Sequence, residues 1–182
     1  MIIKDYQLVN SINTDLFQSF LIYGPNEGLI RESIDNIYRS FSKGSECEKV
    51  NIIGKQLDES ISILNDEITT FSLFSEKKLI ILDLVKEKHA SIIEDILILD
   101  CENVCMVVKA DNLAKSSKIR KLYETSKNHF SLACYDDDIK VLSSLLEKFQ
   151  KEHKITFDSD VKSFLLNNLS NDRMVIRNEL EK

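Results

Sequence analysis

The stretch FLIYGPNEGLIRES, residues 20–33, joins a short apolar run to a polar turn and then to an amphipathic segment. The apolar run ends at Tyr23, and Gly24 and Gly28 frame the turn. From Ile30 onward, apolar residues recur at the spacing of one helix face. The stretch therefore predicts a buried strand, a tight turn and a helix, the unit from which parallel sheets with helical crossovers are built.

The turn departs from a working phosphate-binding loop of the GxxxxGK[ST] type. Such a loop uses glycines to bring backbone N–H groups to the phosphates, a lysine to reach them and a Ser or Thr to hold Mg²⁺. Here Gly28 comes one position early, and Leu29, Ile30 and Arg31 stand where Gly, Lys and Ser/Thr belong. We interpret Gly24, Gly28 and Arg31 as a degenerate nucleotide loop that is not expected to bind. The alternative is a divergent P-loop ATPase or phosphotransferase in which Arg31 touches a phosphate.

Four further apolar runs follow, and helical patterns separate them. The runs cover residues 50–53, 79–84, 104–108 and 130–135. Most lack strict polar alternation, as expected when helices cover both faces of a parallel sheet. Apolar spacing predicts helices that include Leu57, Ile61, Leu64 and Ile68, and another over residues 116–126. The order predicts an α/β domain over residues 1–136, with a doubly wound parallel sheet of five strands.

The pattern changes after Asp136, Asp137 and Asp138, whose carboxylates suit the start of a helix. Amphipathic spacing predicts one helix after these residues, a second from about Asp158 and a third over residues 172–182. We therefore expect a small three-helix domain over residues 137–182. Because no Gly or Pro ends the last helix, we also expect the sequence to be cut short.

Composition restricts the function classes. The chain has 24 Lys and Arg against 30 Asp and Glu, a net charge of −6, so it is not expected to bind DNA by charge alone. Its four cysteines form no CxxC pair, and its three histidines are scattered, which predicts no metal site and places the histidines at the surface or in loops. No apolar run is long enough to cross a bilayer, so the expected location is cytoplasmic, with no membrane partner.

Several motifs, taken in order, resemble the delta subunit of the bacterial DNA polymerase III clamp loader. FLIYGPNEGLIRES is similar to that family's first strand, degenerate Walker A loop and following helix. TTFSLFSEKKLIIL resembles its clamp-contacting segment and third strand. VVKADNLAKSSKIRKLYE, then CYDDD and RNELEK, resemble the fourth strand, the next helix and the small helical domain.

The resemblance implies an AAA+-like module that needs no cofactor and has no catalytic site of its own. It implies a non-catalytic subunit of the nucleotidyltransferase holoenzyme. The implied partners are the sliding clamp (beta subunit), other clamp-loader subunits and primed DNA through the assembled complex. In the family a Leu-Phe pair inserts into the clamp and helps to open it, and the matching residues are Leu73 and Phe74. From the residues alone, both side chains could instead fold back onto the sheet.

One basic cluster is a candidate for a DNA or subunit contact. It comprises Lys115, Lys118, Arg120 and Lys121, with Lys127 nearby. The simpler interpretation is a solvated helix face, and a third hypothesis makes the protein a nucleic-acid-binding adaptor. Delta subunits normally continue into a helical collar domain. The resemblance implies that the present sequence, which ends at Lys182, lacks that domain.

Overall fold

The computed structural model describes residues 1–13, 16–60, 62–70, 75–99, 101–137, 139–168 and 176 of the chain. Over these residues the strands are β1 (Ile2–Ile3), β2 (Gln18–Tyr23), β3 (Cys47–Ile53), β4 (Lys77–Val85), β5 (Val104–Ala110) and β6 (Phe130–Ala133). The helices are α1 (Asp5–Leu8), α2 (Glu27–Ser42), α3 (Gly54–Glu59), α4 (Ser62–Thr69), α5 (Ala90–Leu97), α6 (Lys118–Thr125), α7 (Ile139–His153) and α8 (Ser159–Asn168). Two short 3₁₀ turns cover Val9–Ser11 and Glu87–His89.

The strands form a single sheet in the order β1-β6-β2-β5-β4-β3, and every neighbouring pair is parallel. β2 lies near the middle, where Phe20 faces Val107 of β5 on one side and Phe130 of β6 on the other. All five predicted strands are present, but the predicted strand number was wrong. β1 adds a sixth strand of 2 residues, which is too short to produce an apolar run in the sequence.

Helices cover both faces of the sheet, which confirms the doubly wound α/β fold. From β2 to β3 the chain moves towards one edge, and from β3 through β4 and β5 to β6 it moves in the opposite direction. Because crossovers between parallel strands are right-handed, α2 lies on one face and α3, α4, α5 and α6 lie on the other.

Burial agrees with this division of the helices. Side chains that alternate along the three central strands share one core with α3, α4, α5 and α6. On the strands these are Leu21, Tyr23, Ile80, Leu82, Met106 and Val108, and on the helices they are Leu57, Leu64, Ile93, Ile96, Ile119 and Tyr123. The predicted helix through Leu57 and Leu64 is divided in two, because Ser60 adopts an extended conformation (φ −156°, ψ 114°) between α3 and α4. Residue 61 lies outside the described residues.

The chain divides into two compact units. One contains residues 1–24 and 30–133, and the other contains residues 25–29 and 134–182. The second unit includes α7 and α8, which begin next to the predicted positions, and an ion pair of 3.0 Å joins Lys162 to Glu147. The predicted third helix lies outside the described residues except at Ile176, which is helical and buried. The predicted boundary after residue 136 stays a prediction.

Candidate functional site

The loop after β2 directs its polar groups to other parts of the protein. Asn26, which is 1 % exposed, donates its backbone N–H to the Cys134 carbonyl at 3.1 Å. Its side-chain oxygen accepts the backbone N–H of Leu29 at 2.9 Å, which caps the start of α2. Its Nδ2 donates to the Tyr135 carbonyl at 3.3 Å. The donors of Asn26 and Leu29 therefore point at protein acceptors, whereas a phosphate-binding loop presents such groups to its ligand.

The position that a phosphate-binding lysine would occupy belongs to the core. Ile30 stands there and is 2 % exposed, as its place in the apolar stripe of α2 predicts. Arg31 is exposed on the same helix, and Gly24 has a φ of 135°, in the region that favours glycine. Gly24 and Gly28 are both buried. Whether the loop binds a nucleotide stays a prediction.

Asp83 is the acidic residue of β4 and lies near the carboxyl end of that strand, the end at which the loop after β2 also lies. Its Oδ1 accepts the backbone N–H of Leu84 at 2.8 Å and lies 3.6 Å from the Nζ of Lys109. A cation and a backbone donor therefore both face this carboxylate. Over the described ranges, no group of three or more His, Cys, Asp or Glu side chains is arranged to hold a metal ion.

Leu73 and Phe74, the predicted clamp-binding residues, lie outside the described residues. The structure does describe both sides of this segment: α4 ends at Thr69, Thr70 and Ser75 flank the gap, and β4 begins at Lys77. The carboxyl end of α4 and the start of β4 belong to the edge at which the strands begin, opposite to the loop after β2. A cavity of about 480 Å³ lies beside the two flanks and is lined by residues that include Ile68, Thr70, Ser75, Lys78 and Leu99.

Two adjacent lysines at the start of β4 hold the ends of two helices. The Nζ of Lys77 donates to the carbonyls of Phe41 (2.8 Å) and Ser42 (3.3 Å), the last residues of α2. The Nζ of Lys78 donates to the carbonyls of Glu67 (2.9 Å) and Thr70 (2.8 Å) at the end of α4. Consecutive side chains of a strand point to opposite faces, so each lysine reaches the helix on its own face. There its positive charge interacts favourably with the negative, carboxyl-terminal end of the helix dipole.

His129 makes a related contact with a third helix. Its Nδ1 accepts the backbone N–H of Ser19 at 3.1 Å, so Nε2 carries the proton and donates to the carbonyl of Leu97 at 2.9 Å. Leu97 is the last residue of α5. Burial lowers the pKa of His129, although the contact with the Leu97 carbonyl acts in the opposite direction. Histidines were expected at the surface or in loops: His129 does lie in the loop before β6, but both it and His89, which is 1 % exposed at the end of a 3₁₀ turn, are buried rather than at the surface.

Sequence reasoning missed Lys77, Lys78 and His129 because lysine and histidine next to a strand ordinarily indicate its exposed end. The predicted strand accordingly began at Leu79, two residues late. One signal was present in the sequence: two adjacent lysines stand directly before four consecutive apolar residues, 79–82. In a sheet covered on both faces, each of these lysines needs acceptors close to it.

The residues of the basic cluster differ in their contacts. Arg120 donates its Nε to the carboxylate of Glu124 at 2.6 Å, and its guanidinium lies 5.3 Å from the centre of the Tyr23 ring. Lys118 pairs with Glu94 at 2.8 Å, and that hydrogen bond raises the pKa of Lys118. Lys115 and Lys121 are exposed. The structure thus ties Arg120 to its own helix and to the end of β2.

A sequence model of one family, described as DNA polymerase III, delta subunit, matches residues 20–129. The chain belongs to this family. The delta-subunit resemblance inferred from the motifs is therefore confirmed, and the matched region runs from β2 to the residue before β6.

Individual relatives agree with the family. The chain is similar to a probable DNA polymerase III subunit delta of Rickettsia prowazekii (strain Madrid E), with 24% identity over 97% of this chain and 53% of the relative. It also resembles the solved structure of the Bacillus subtilis DNA clamp loader delta protein, with a TM-score of 0.62 and 15% identity over 97% of this chain and 55% of the other. The chain thus spans about half the length of the relatives it matches.

A second solved structure supports the fold alone. The Thermotoga maritima RuvB Holliday junction branch migration motor matches with a TM-score of 0.54 and 14% identity, over 97% of this chain and 56% of the other. These likenesses confirm the AAA+-like, P-loop NTPase type of fold. Throughout the described part of the chain, no helix combines the length and the apolar character that a membrane span requires.

Proposed function

We propose that this delta-family chain binds the sliding clamp and helps to open it during DNA replication, without hydrolysing ATP itself. The observation that carries the proposal is the family match over residues 20–129. The Bacillus subtilis relative is named as a clamp loader protein, which supports the same role. In this proposal Leu73 and Phe74 are the residues that bind the clamp.

Opening of a ring requires only differential binding. A module that binds the opened clamp more tightly than the closed clamp shifts the equilibrium by that difference in free energy. Leu73 and Phe74 supply large apolar side chains of the kind that dominate an interface when they fill a partner's pocket. The energy for repeated cycles then comes from ATP bound by other loader subunits.

The loop after β2 supports the non-catalytic part of the proposal. Ile30 is buried where a phosphate-binding lysine would stand, and Asn26 uses its donors and its acceptor within the protein. In this structure these groups therefore contact the protein rather than facing a site for a nucleoside triphosphate. The divergent ATPase alternative has no comparable observation in its favour.

The remaining partners follow from a loader assembly. We propose contacts with other clamp-loader subunits and, through the assembled complex, with primed DNA in the DNA polymerase III holoenzyme. Lys115 and Lys121 are the residues of the basic cluster that we assign to a DNA phosphate or an adjacent subunit. Arg120 is less suited to that role, since its side chain is 15% exposed and paired with Glu124.

The test is the affinity of the protein for the sliding clamp, measured by surface plasmon resonance. Replacing Leu73→Ala together with Phe74→Ala should weaken binding by about 100-fold or more, because two buried anchors of this kind contribute about 2 kcal/mol each. The matched control is Ile53→Ala with Leu84→Ala. These two apolar side chains are 47% and 54% exposed and lie near the opposite edge of the sheet, where the strands end.

The control pair should keep the wild-type affinity. Equal affinity for the Leu73/Phe74 variant and the wild type would refute the site. An equal loss in both double variants would show a general apolar contact rather than a specific pocket.

A further inference from the structure

Lys78 is a buried lysine with a complete set of acceptors. Its side chain is 7% exposed, and its ammonium donates to the Glu67 carbonyl (2.9 Å), the Thr70 carbonyl (2.8 Å) and the Glu67 carboxylate (3.2 Å). An ammonium has three N–H donors, so each can be assigned one acceptor. The two carbonyls belong to the end of α4, where a cation is favoured by the helix dipole.

These contacts fix the backbone immediately before the proposed clamp-binding segment. Thr70 is the last described residue before residues 71–74, and Lys78 begins the region of β4 that pairs with Val104 of β5. The backbone N–H of Lys78 also donates to the Asn103 carbonyl at 2.9 Å. A strand that is paired on both sides, with β5 and β3, therefore holds through one side chain the point at which the chain leaves α4.

Such an anchor bears on affinity because association includes the cost of ordering side chains and loops. Each side chain and loop segment that becomes ordered on binding adds to that cost, and a scaffold that fixes the flanks beforehand reduces it. From this geometry we propose that Lys78 is a positioning residue for Leu73 and Phe74, which it serves by fixing the end of α4 against β4. The inference rests on the proposed clamp contact at these two residues.

Lys77 provides a matched control within the same strand. Its ammonium also holds two helix carbonyls, those of Phe41 and Ser42. The helix concerned is α2, on the opposite face of the sheet. Loss of Lys77 therefore removes the same kind of helix contact without releasing the end of α4.

The experiment compares Lys78→Met with Lys77→Met in the full chain. Urea unfolding measures stability, and surface plasmon resonance measures affinity for the sliding clamp under conditions where both variants are folded. Both substitutions should lower stability. Lys78→Met should also weaken clamp binding by about tenfold, which corresponds to the ordering cost of the two side chains, whereas Lys77→Met should keep the affinity within about twofold of wild type on the same scale.

A milder variant covers the case in which Lys78→Met does not fold. Glu67→Gln removes one charge from the anchor and leaves the two carbonyl contacts, so it should weaken clamp binding by about two- to threefold. Lys78→Arg, which keeps a cation at the end of α4, should recover part of the affinity lost in Lys78→Met. A purely stabilising role would instead leave the affinity of every folded variant unchanged.

The outcomes separate this inference from the function on which it rests. If Leu73→Ala with Phe74→Ala abolishes clamp binding while Lys78→Met and Glu67→Gln bind like Lys77→Met, the positioning role is overturned and the clamp contact stands. If the Leu73/Phe74 variant binds like the wild type, the clamp contact itself fails, and the positioning role fails with it.

Discussion

The loop after β2 and the connection between α4 and β4 both join a helix to a central strand, yet they use their polar groups in opposite ways. In the loop, the backbone donors of Asn26 and Leu29 meet protein acceptors, and Ile30 enters the core. In the connection, Lys78 supplies donors to the carbonyls at the end of α4. The comparison teaches that, at one end of the sheet, loop groups form hydrogen bonds within the loop and to the chain after β6, whereas at the other end a strand side chain holds the end of a helix.

The largest effect is expected from restoring the missing lysine. Ile30→Lys places an ammonium where the present side chain is 2 % exposed, near the positive end of α2. The free energy of unfolding should fall by about 3–5 kcal/mol, because the charge is buried without a partner. Urea unfolding measures the loss, and calorimetry with Mg-ATP should detect no binding gained.

The control for this prediction is Arg31→Lys, which changes an exposed residue next to it. Its unfolding free energy should stay within about 0.5 kcal/mol of wild type. Micromolar ATP binding by Ile30→Lys at unchanged stability would show that the loop is still organised as a nucleotide site, and the contrast between the two regions would be lost.

A smaller effect is expected from opening the loop's own hydrogen bonds. Asn26→Ala removes the cap on Leu29 and the contact with the Tyr135 carbonyl, which should lower the unfolding free energy by about 1–2 kcal/mol. Asn26→Ser keeps a capping oxygen and loses the donor to Tyr135, without burying a charge at a position that is 1 % exposed. It should therefore cost less than Asn26→Ala, and equal losses would mean that the cap contributes nothing.

The smallest effect concerns pH at the edge where the strands begin. Burial lowers the pKa of His129 below its ordinary value of 6.5, so below pH 6.5 the unfolded chain binds a proton that the folded chain resists. The stability contributed by His129 is present above pH 6.5, falls as the pH decreases through the folded pKa and then levels off. Urea unfolding measured between roughly pH 7.5 and 5, the range in which histidine titrates, should show the unfolding free energy decreasing as the pH falls. His129→Gln should make this pH dependence weaker. An unchanged slope in that variant would assign the dependence to other groups.

The alternation of apolar runs and helical patterns predicted the main strands and helices, because burial on both sheet faces requires continuous apolar strands. It missed β1, which gains its strand conformation only by pairing Ile2 and Ile3 with β6. It also merged α3 with α4, since the buried Leu57 and Leu64 keep a helical spacing across the extended Ser60. Elements that depend on a distant partner leave little trace in a local pattern.

For the candidate site, too, the sequence could predict some residues and not others. The replacement of the loop lysine by Ile30 and the Leu73-Phe74 pair could both be found by inspecting the sequence, and the pair stays a prediction. The roles of Lys77 and Lys78 could not, because their acceptors are helix carbonyls 35 or 36 residues away for Lys77 and 8 or 11 residues away for Lys78. Backbone carbonyls carry no residue-specific signal.

The sequence by itself determined the fold class, the defect in the nucleotide loop and the family, because each of these depends on residue type and local spacing. Only the tertiary structure decided which polar groups meet. In the folded chain Asn26 donates hydrogen bonds to the carbonyls of Cys134 and Tyr135. The neighbouring Lys77 and Lys78 reach carbonyls on opposite faces of one sheet. The physical reason is that a hydrogen bond requires its donor and acceptor atoms to lie roughly 3 Å apart. Segments that are remote in sequence come this close only when the parallel strands bring them to the same end of the sheet.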